Sequence, residues 1–145
     1  MNGIYVNREY SWLLFNRRVL DQAKDLTNPL LERCKFLAIF QSNLDEFFMI
    51  RVGSLATQML HAPDLRDNKT RLTAEEQTTG ILEEVRTLYK RESEVFSSLR
   101  RELYKNGISL LKGSKLSAHQ RLECQSYFIN RVLPFLSPMV LDAKH

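Results

Sequence analysis

The sequence predicts an all-α fold, an antiparallel helical bundle with one long helix. Three observations predict it. Apolar residues recur at spacings of three and four rather than two. Glycine and proline are scarce, at 5 and 4 of 145 residues, so little interrupts a helix. Residues that cap helix ends stand just ahead of the periodic runs.

Taken in order, Trp12, Phe15, Val19, Leu20 and Ala23 form the first stripe, with Asn7 or Ser11 available as N-cap. "TNPLLERCKFLAIF" opens the second helix, with Asn28 as N-cap and Pro29 at the first helical position, where a missing N–H costs nothing. Leu30, Cys34, Leu37 and Ala38 continue its buried face. "HAPDLRDNKTRL", residues 61–72, reads as a polar loop. Thr73-Ala74-Glu75-Glu76 then forms a capping box that starts the long helix. Ile81, Leu82, Val85, Leu88, Tyr89, Val95, Phe96, Leu99 and Leu103 sustain helical spacing, and Asn106-Gly107 closes it as a left-handed cap. "ISLL", residues 108–111, reads as a strand or a tucked connector. Ser117 caps another helix, bearing Leu122, Phe128, Ile129, Val132 and Leu133. Pro134 and Pro138 stop it, and "PFLSPMVLD" reads as an extended segment entering a further domain. The expected division is a helical domain over 1–106, then a connector, a helix and a truncated domain start over 107–145.

A chain of this length fits one domain or one plus the start of another. Its 43% apolar and 26% charged residues are ordinary for a globular protein. No apolar run approaches the roughly 20 residues that span a bilayer, and no secretory signal is visible. Cys34 and Cys124 share no metal-ligand spacing and read as reduced, mostly buried thiols of a cytosolic protein. The net charge of +4 suits a polyanion, but no basic run exceeds two residues.

His61, His119 and His145 have no acid or cysteine at ligand spacing and read as solvated. There is no phosphate-binding glycine loop, nucleophile elbow or HExxH motif, so no catalytic residue and no metal site is expected within this chain. The unusual stretch is "FQSNLDEFFMIRV", residues 40–52. Ser42-x-x-Asp45 nearly forms a capping box that restarts a helix after Gln41, with Asp45 and Glu46 favoured in its first turn by the helix dipole. A continuous helix with these residues facing solvent is the other reading. Asn43 has no propensity advantage inside a helix, and its carboxamide can pair bidentately with an adenine edge. Asp45 and Glu46 diverge by roughly 100° on a helix, which argues against a Mg²⁺ pair.

"NREYSWLLFNRRVLDQA", "NPLLERCKFLAIFQSNLDEFFMIRV" and "YFINRVLPFLSPMVLD" together resemble the N-terminal part of the long bacterial polyphosphate kinases, which have a phospholipase-D-like catalytic region. The resemblance runs in register from Tyr5 to Asp142, strongest over 7–56 and 127–142. It implies a helical N-terminal domain, a mixed α/β head domain used in dimer contacts, and two C-terminal catalytic domains. The implied activity is reversible transfer of the terminal phosphate of ATP onto inorganic polyphosphate, through a phosphohistidine and with Mg²⁺. Those ligands belong to the C-terminal domains, and none matches a residue here. The chain is then a helical domain plus the start of the head domain, inactive alone, with ATP/ADP as substrate and Mg²⁺ bound elsewhere.

The implied partners are polyphosphate, the remaining domains and, at full length, a second copy. Nucleic acid is not expected. The implied location is the cytoplasm, with a peripheral place at the inner membrane left open. The asparagine of the family's "NLDEF" motif falls on Asn43, which makes it the nucleotide-binding candidate. Ser42, Asp45, Glu46 and Arg51 are expected to shape a helix start and an interdomain contact. Tyr10 replaces the family's usual leucine, and Gly53 stands where alanine is common. A stand-alone helical module for polyanions or proteins, and a pure scaffold, are the competing readings.

Overall fold

A computed structural model describes residues 6–139. Its described residues form five α-helices and no strand, as an all-α fold requires: α1 (Arg8–Lys24), α2 (Leu30–Phe47), α3 (Gly53–His61), α4 (Ala74–Lys105) and α5 (Ala118–Tyr127). The chain divides into two compact units, one running to Ile108 and one starting at Ser109.

In the first unit Asn7 caps α1, its Oδ1 accepting the N–H groups of Glu9 and Tyr10 at 2.8 and 3.3 Å. The Asn7 amide also donates to Gln77 Oε1 at 2.8 Å, pinning the start of α1 to the start of α4. The face α1 buries is Leu13, Asn16, Leu20 and Ala23, which keeps Leu20 and Ala23 of the expected stripe but has Leu13 and Asn16 in place of Trp12, Phe15 and Val19. Phe15 is 47% exposed, while Trp12 and Val19 are half-buried. Both stripes have helical spacing. The polar Asn16 concealed the true one, because its hydrogen bonds come from another helix.

α2 begins one residue later than expected. Pro29 itself is the N-cap, in an extended conformation. Asn28 caps nothing and donates instead to the Gln22 carbonyl at 3.0 Å. The fully buried face is Arg33, Phe40, Leu44 and Phe47, with Leu30, Cys34 and Leu37 half-buried and Ala38 exposed. No helix restarts at Ser42, so the expectation that Ser42, Asp45 and Glu46 fix a helix start is overturned. α2 runs unbroken through them, and Gln41 Nε2 donates to Asp45 Oδ1 at 3.0 Å, an i,i+4 pair that supports continuity. The irregularity falls later, in a π-helical turn over Phe48–Val52 that hands the chain to α3. Such single π turns recur at functional sites.

The capping box of α4 forms as the sequence predicts, Glu76 N–H donating to Thr73 Oγ1 and Thr73 N–H to Glu76 Oε2. At its other end Gly107 has φ +79, and the Ile108 and Gly107 N–H groups donate to the Leu103 and Tyr104 carbonyls. That is the Schellman closure. Ile81, Val85, Leu88, Val95 and Leu99 of α4 meet Leu13, Leu20, Phe40, Leu44 and Phe47 in one core.

In the second unit, Ser117 caps α5 with a capping box to Gln120. A π-helical turn over Phe128–Val132 and a 3₁₀ turn at Pro134 follow. Residues 108–111 form no regular structure, so the strand alternative for "ISLL" does not hold. Leu122, Phe128, Ile129 and Leu133 are exposed rather than buried. So is Cys124, expected to be mostly buried, because α5 packs against too little of the second unit to cover it; Cys34 in α2 is half-buried. Leu136 is extended, and the final residues of "PFLSPMVLD" lie outside the described residues. No described helix is long and apolar enough to cross a membrane.

Candidate functional site

Trp12 and Phe15, which spacing assigned to the buried stripe of α1, also border a cleft between α1 and α2, Trp12 packing against the core and Phe15 exposed. Trp12 and Phe47 stack with ring centroids 4.5 Å apart and 13° between planes, and Phe48 meets Phe47 edge-on at 6.0 Å. Such pairs add about 0.5–1.5 kcal/mol beyond their buried area and hold each ring in place. Beside the stack lies a cleft of about 290 Å³, lined by Trp12, Phe15, Asn43, Glu46, Phe47, Ile50 and Arg51. Asn43, Phe47 and Ile50 share one face of the chain because helical spacing returns every three or four residues. Phe15 presents its ring here, with the Arg18 guanidinium 5.9 Å from the ring centre.

Asn43 is half-buried, and its Nδ2 donates to Asn16 Oδ1 at 3.0 Å. Asn16 is fully buried, and its own Nδ2 donates to the Phe40 carbonyl at 3.1 Å. The chemistry of this chain of bonds fixes both amides. A carbonyl only accepts, so Asn16 must turn its NH₂ to Phe40 and its oxygen to Asn43. Asn43 must then spend one N–H on Asn16, which leaves its Oδ1 and its second N–H for a ligand. Sequence reasoning singled out Asn43 as a candidate but not its partner Asn16. The only available signal was an asparagine where α1 should have been apolar.

A second, more polar cleft of about 320 Å³ adjoins the first and shares Ile50 and Arg51 with it. Arg8, Glu9, Arg66, Asp67 and Gln77 also line it. Glu9 is buried, its Oε1 paired with Arg8 at 3.0 Å and its Oε2 without a partner among the described residues. Hydrogen bonds from the Thr70 N–H and hydroxyl hold the Asp67 carboxyl below its usual range. Arg51 is half-buried and makes no hydrogen bond or ion pair among the described residues, unlike Arg66, whose partners are Glu76 and the Arg71 carbonyl.

Among the described residues no three His, Cys, Asp or Glu side chains gather as a metal site. Asp45 is tied to Gln41, and Glu46 alone of the two carboxylates lines the aromatic cleft. His119, expected to lack an acidic neighbour, faces Glu123 at 3.7 Å across one turn of α5, with both side chains exposed.

Residues 5–111 match the family described as the Polyphosphate kinase N-terminal domain. The chain is 44% identical over 142 residues to a Polyphosphate kinase of Halalkalibacterium halodurans, covering 97% of this chain and 20% of the relative. It is 42% identical over 137 residues to one of Exiguobacterium sibiricum, covering 94% and 19%. With one of Prochlorococcus marinus it shares 39% identity over 142 residues, covering 97% and 20%. No solved structure matches. The chain spans about a fifth of the length of the curated relatives it matches. On a match that covers most of its length, the chain belongs to the polyphosphate kinase N-terminal domain family.

Proposed function

We propose that this chain is the nucleotide-site-closing domain of a polyphosphate kinase, and that the α1–α2 cleft receives the adenine of ATP or ADP. The observation that carries this reading is the Asn43 amide, held by Asn16 with an acceptor and a donor left over beside an aromatic stack. An adenine edge offers the matching donor and acceptor, and its flat face suits an aromatic wall. The phosphoryl chemistry, reversible transfer from ATP to polyphosphate through a phosphohistidine, belongs in this reading to domains outside the chain. Mg²⁺ would supply charge neutralisation of the phosphates there. The described residues of this chain gather no ligand set for it. The other domains, polyphosphate and a second copy of the enzyme are the partners this reading implies, in the cytoplasm.

The test is Asn43→Ala in the full-length enzyme. Loss of one bidentate base contact should raise the KM for ATP about tenfold. An unchanged KM, with thermal stability also unchanged, rules the base contact out.

A further inference from the structure

We propose that Asn16 is a positioning residue that fixes the polarity of the Asn43 amide, and so makes the cleft select a 6-amino purine over a 6-oxo purine. The inference rests on the base-binding reading above and adds its specificity. Asn16 has 0% exposure, so it touches no ligand and acts only through Asn43. Its Nδ2 is committed to the Phe40 carbonyl at 3.1 Å, which leaves only an acceptor for Asn43 at 3.0 Å.

An asparagine amide is nearly symmetric in shape, and a half-turn about its last bond exchanges oxygen and nitrogen. The two orientations read opposite ligands. With oxygen and N–H in one order the amide complements the N6 amine and a ring-nitrogen acceptor of adenine. With the order exchanged it complements the O6 acceptor and N1–H donor of a 6-oxo purine. An exchanged Asn43 would also point its oxygen at the Asn16 oxygen, two acceptors with no proton between them. The buried pair therefore disfavours the order that would read hypoxanthine or guanine, and the cost falls on the wrong ligand.

The measurement is kcat/KM of the full-length enzyme for ATP and for ITP, which differ at the 6-position of the base. Asn16→Ala removes the acceptor and frees the amide to turn, so the ATP-to-ITP ratio should fall about tenfold. A ratio that stays put overturns the inference, whether both rates are retained or both fall together, because a merely structural role would slow both substrates alike. Asn16→Leu, close to asparagine in shape, serves if the alanine variant does not fold. It too removes the acceptor facing Asn43 without burying a charge, so its ratio should fall about as far, and an intact ratio overturns the proposal. Asn43→Ala separates the two layers. If that variant leaves the ratio intact, the base reading itself has failed. If it collapses the ratio while Asn16→Ala does not, only the positioning role has failed.

Discussion

Arg33 is the residue on which three helices converge. It is 4% exposed, its Nε donates to the Ala23 carbonyl at 3.0 Å, and Nη1 and Nη2 donate to Glu102 at 2.7 and 3.2 Å. The Ala23 carbonyl is one of the unpaired acceptors at the end of α1, where a cation is favoured. The pair is unequal, because the Glu102 side chain keeps 33% of its exposure against 5% for Arg33. Removing either partner therefore has different consequences. Glu102→Ala strands a buried guanidinium and should cost about 3–5 kcal/mol, whereas Arg33→Met leaves a carboxylate that water reaches and should cost roughly half of that. Urea unfolding of both variants checks the order, and equal losses would refute it. Neither Arg33 nor Asn16 was legible as a buried residue. Apolar periodicity finds the face a helix hides only where that face is apolar, and these polar side chains are buried because partners 24 and 69 residues away satisfy them.

At the scale of the element, local chemistry was the most readable part of the sequence. Asn7, Thr73, Ser117 and Gly107 end their helices through bonds that span no more than five residues, so the signal and its partner lie together in the chain. The π turn at Phe48–Val52 was not readable, since no residue type specifies it. The polar run just before it invited a helix start that tertiary packing overrode. Gly80 is a middle case. A glycine inside an exposed helix costs about 1 kcal/mol relative to alanine, yet α4 keeps one. A Cβ built there would overlap the Tyr10 hydroxyl, which lies 3.4 Å from the Gln77 carbonyl and whose pKa burial pushes up. Gly80→Ala should therefore destabilise by about 1–2 kcal/mol, overpacking outweighing the propensity gain. In a Tyr10→Leu background the same change should turn neutral or stabilising, by up to about 1 kcal/mol. Thermal unfolding of the four proteins of this cycle checks the sign, and a Gly80→Ala effect that ignores residue 10 would show that the contact does not govern it.

For the whole molecule, recurrence at three and four predicted the all-α class, and the three separated motifs predicted the family, since both signals are distributed along the chain. The aromatic cleft was hidden because it forms where α1 and α2 meet, and Trp12 and Phe47 lie 35 positions apart. The first unit also carries a distributed response to acid. Hydrogen bonds to Arg33 lower the Glu102 carboxyl, and the Thr73 N–H lowers Glu76. The Thr70 and Thr27 N–H groups lower Asp67 and Asp25 in the same way. A group held below its unfolded value stabilises the fold fully above that value, about 4 for these carboxyls, and loses the contribution as pH falls through the folded value. Glu92, raised by burial, works in the opposite sense, one group against four. The melting temperature should therefore change little through these groups between about pH 6 and 8 and drop steeply below about pH 4.5. The combined Glu76→Gln and Glu102→Gln variant should start lower at neutral pH and fall less on acidification, because two of the four groups no longer take up a proton on unfolding. Melting curves from pH 7 to pH 3.5 decide it. An equal slope in the variant would mean that other carboxylates set the acid limit of this fold.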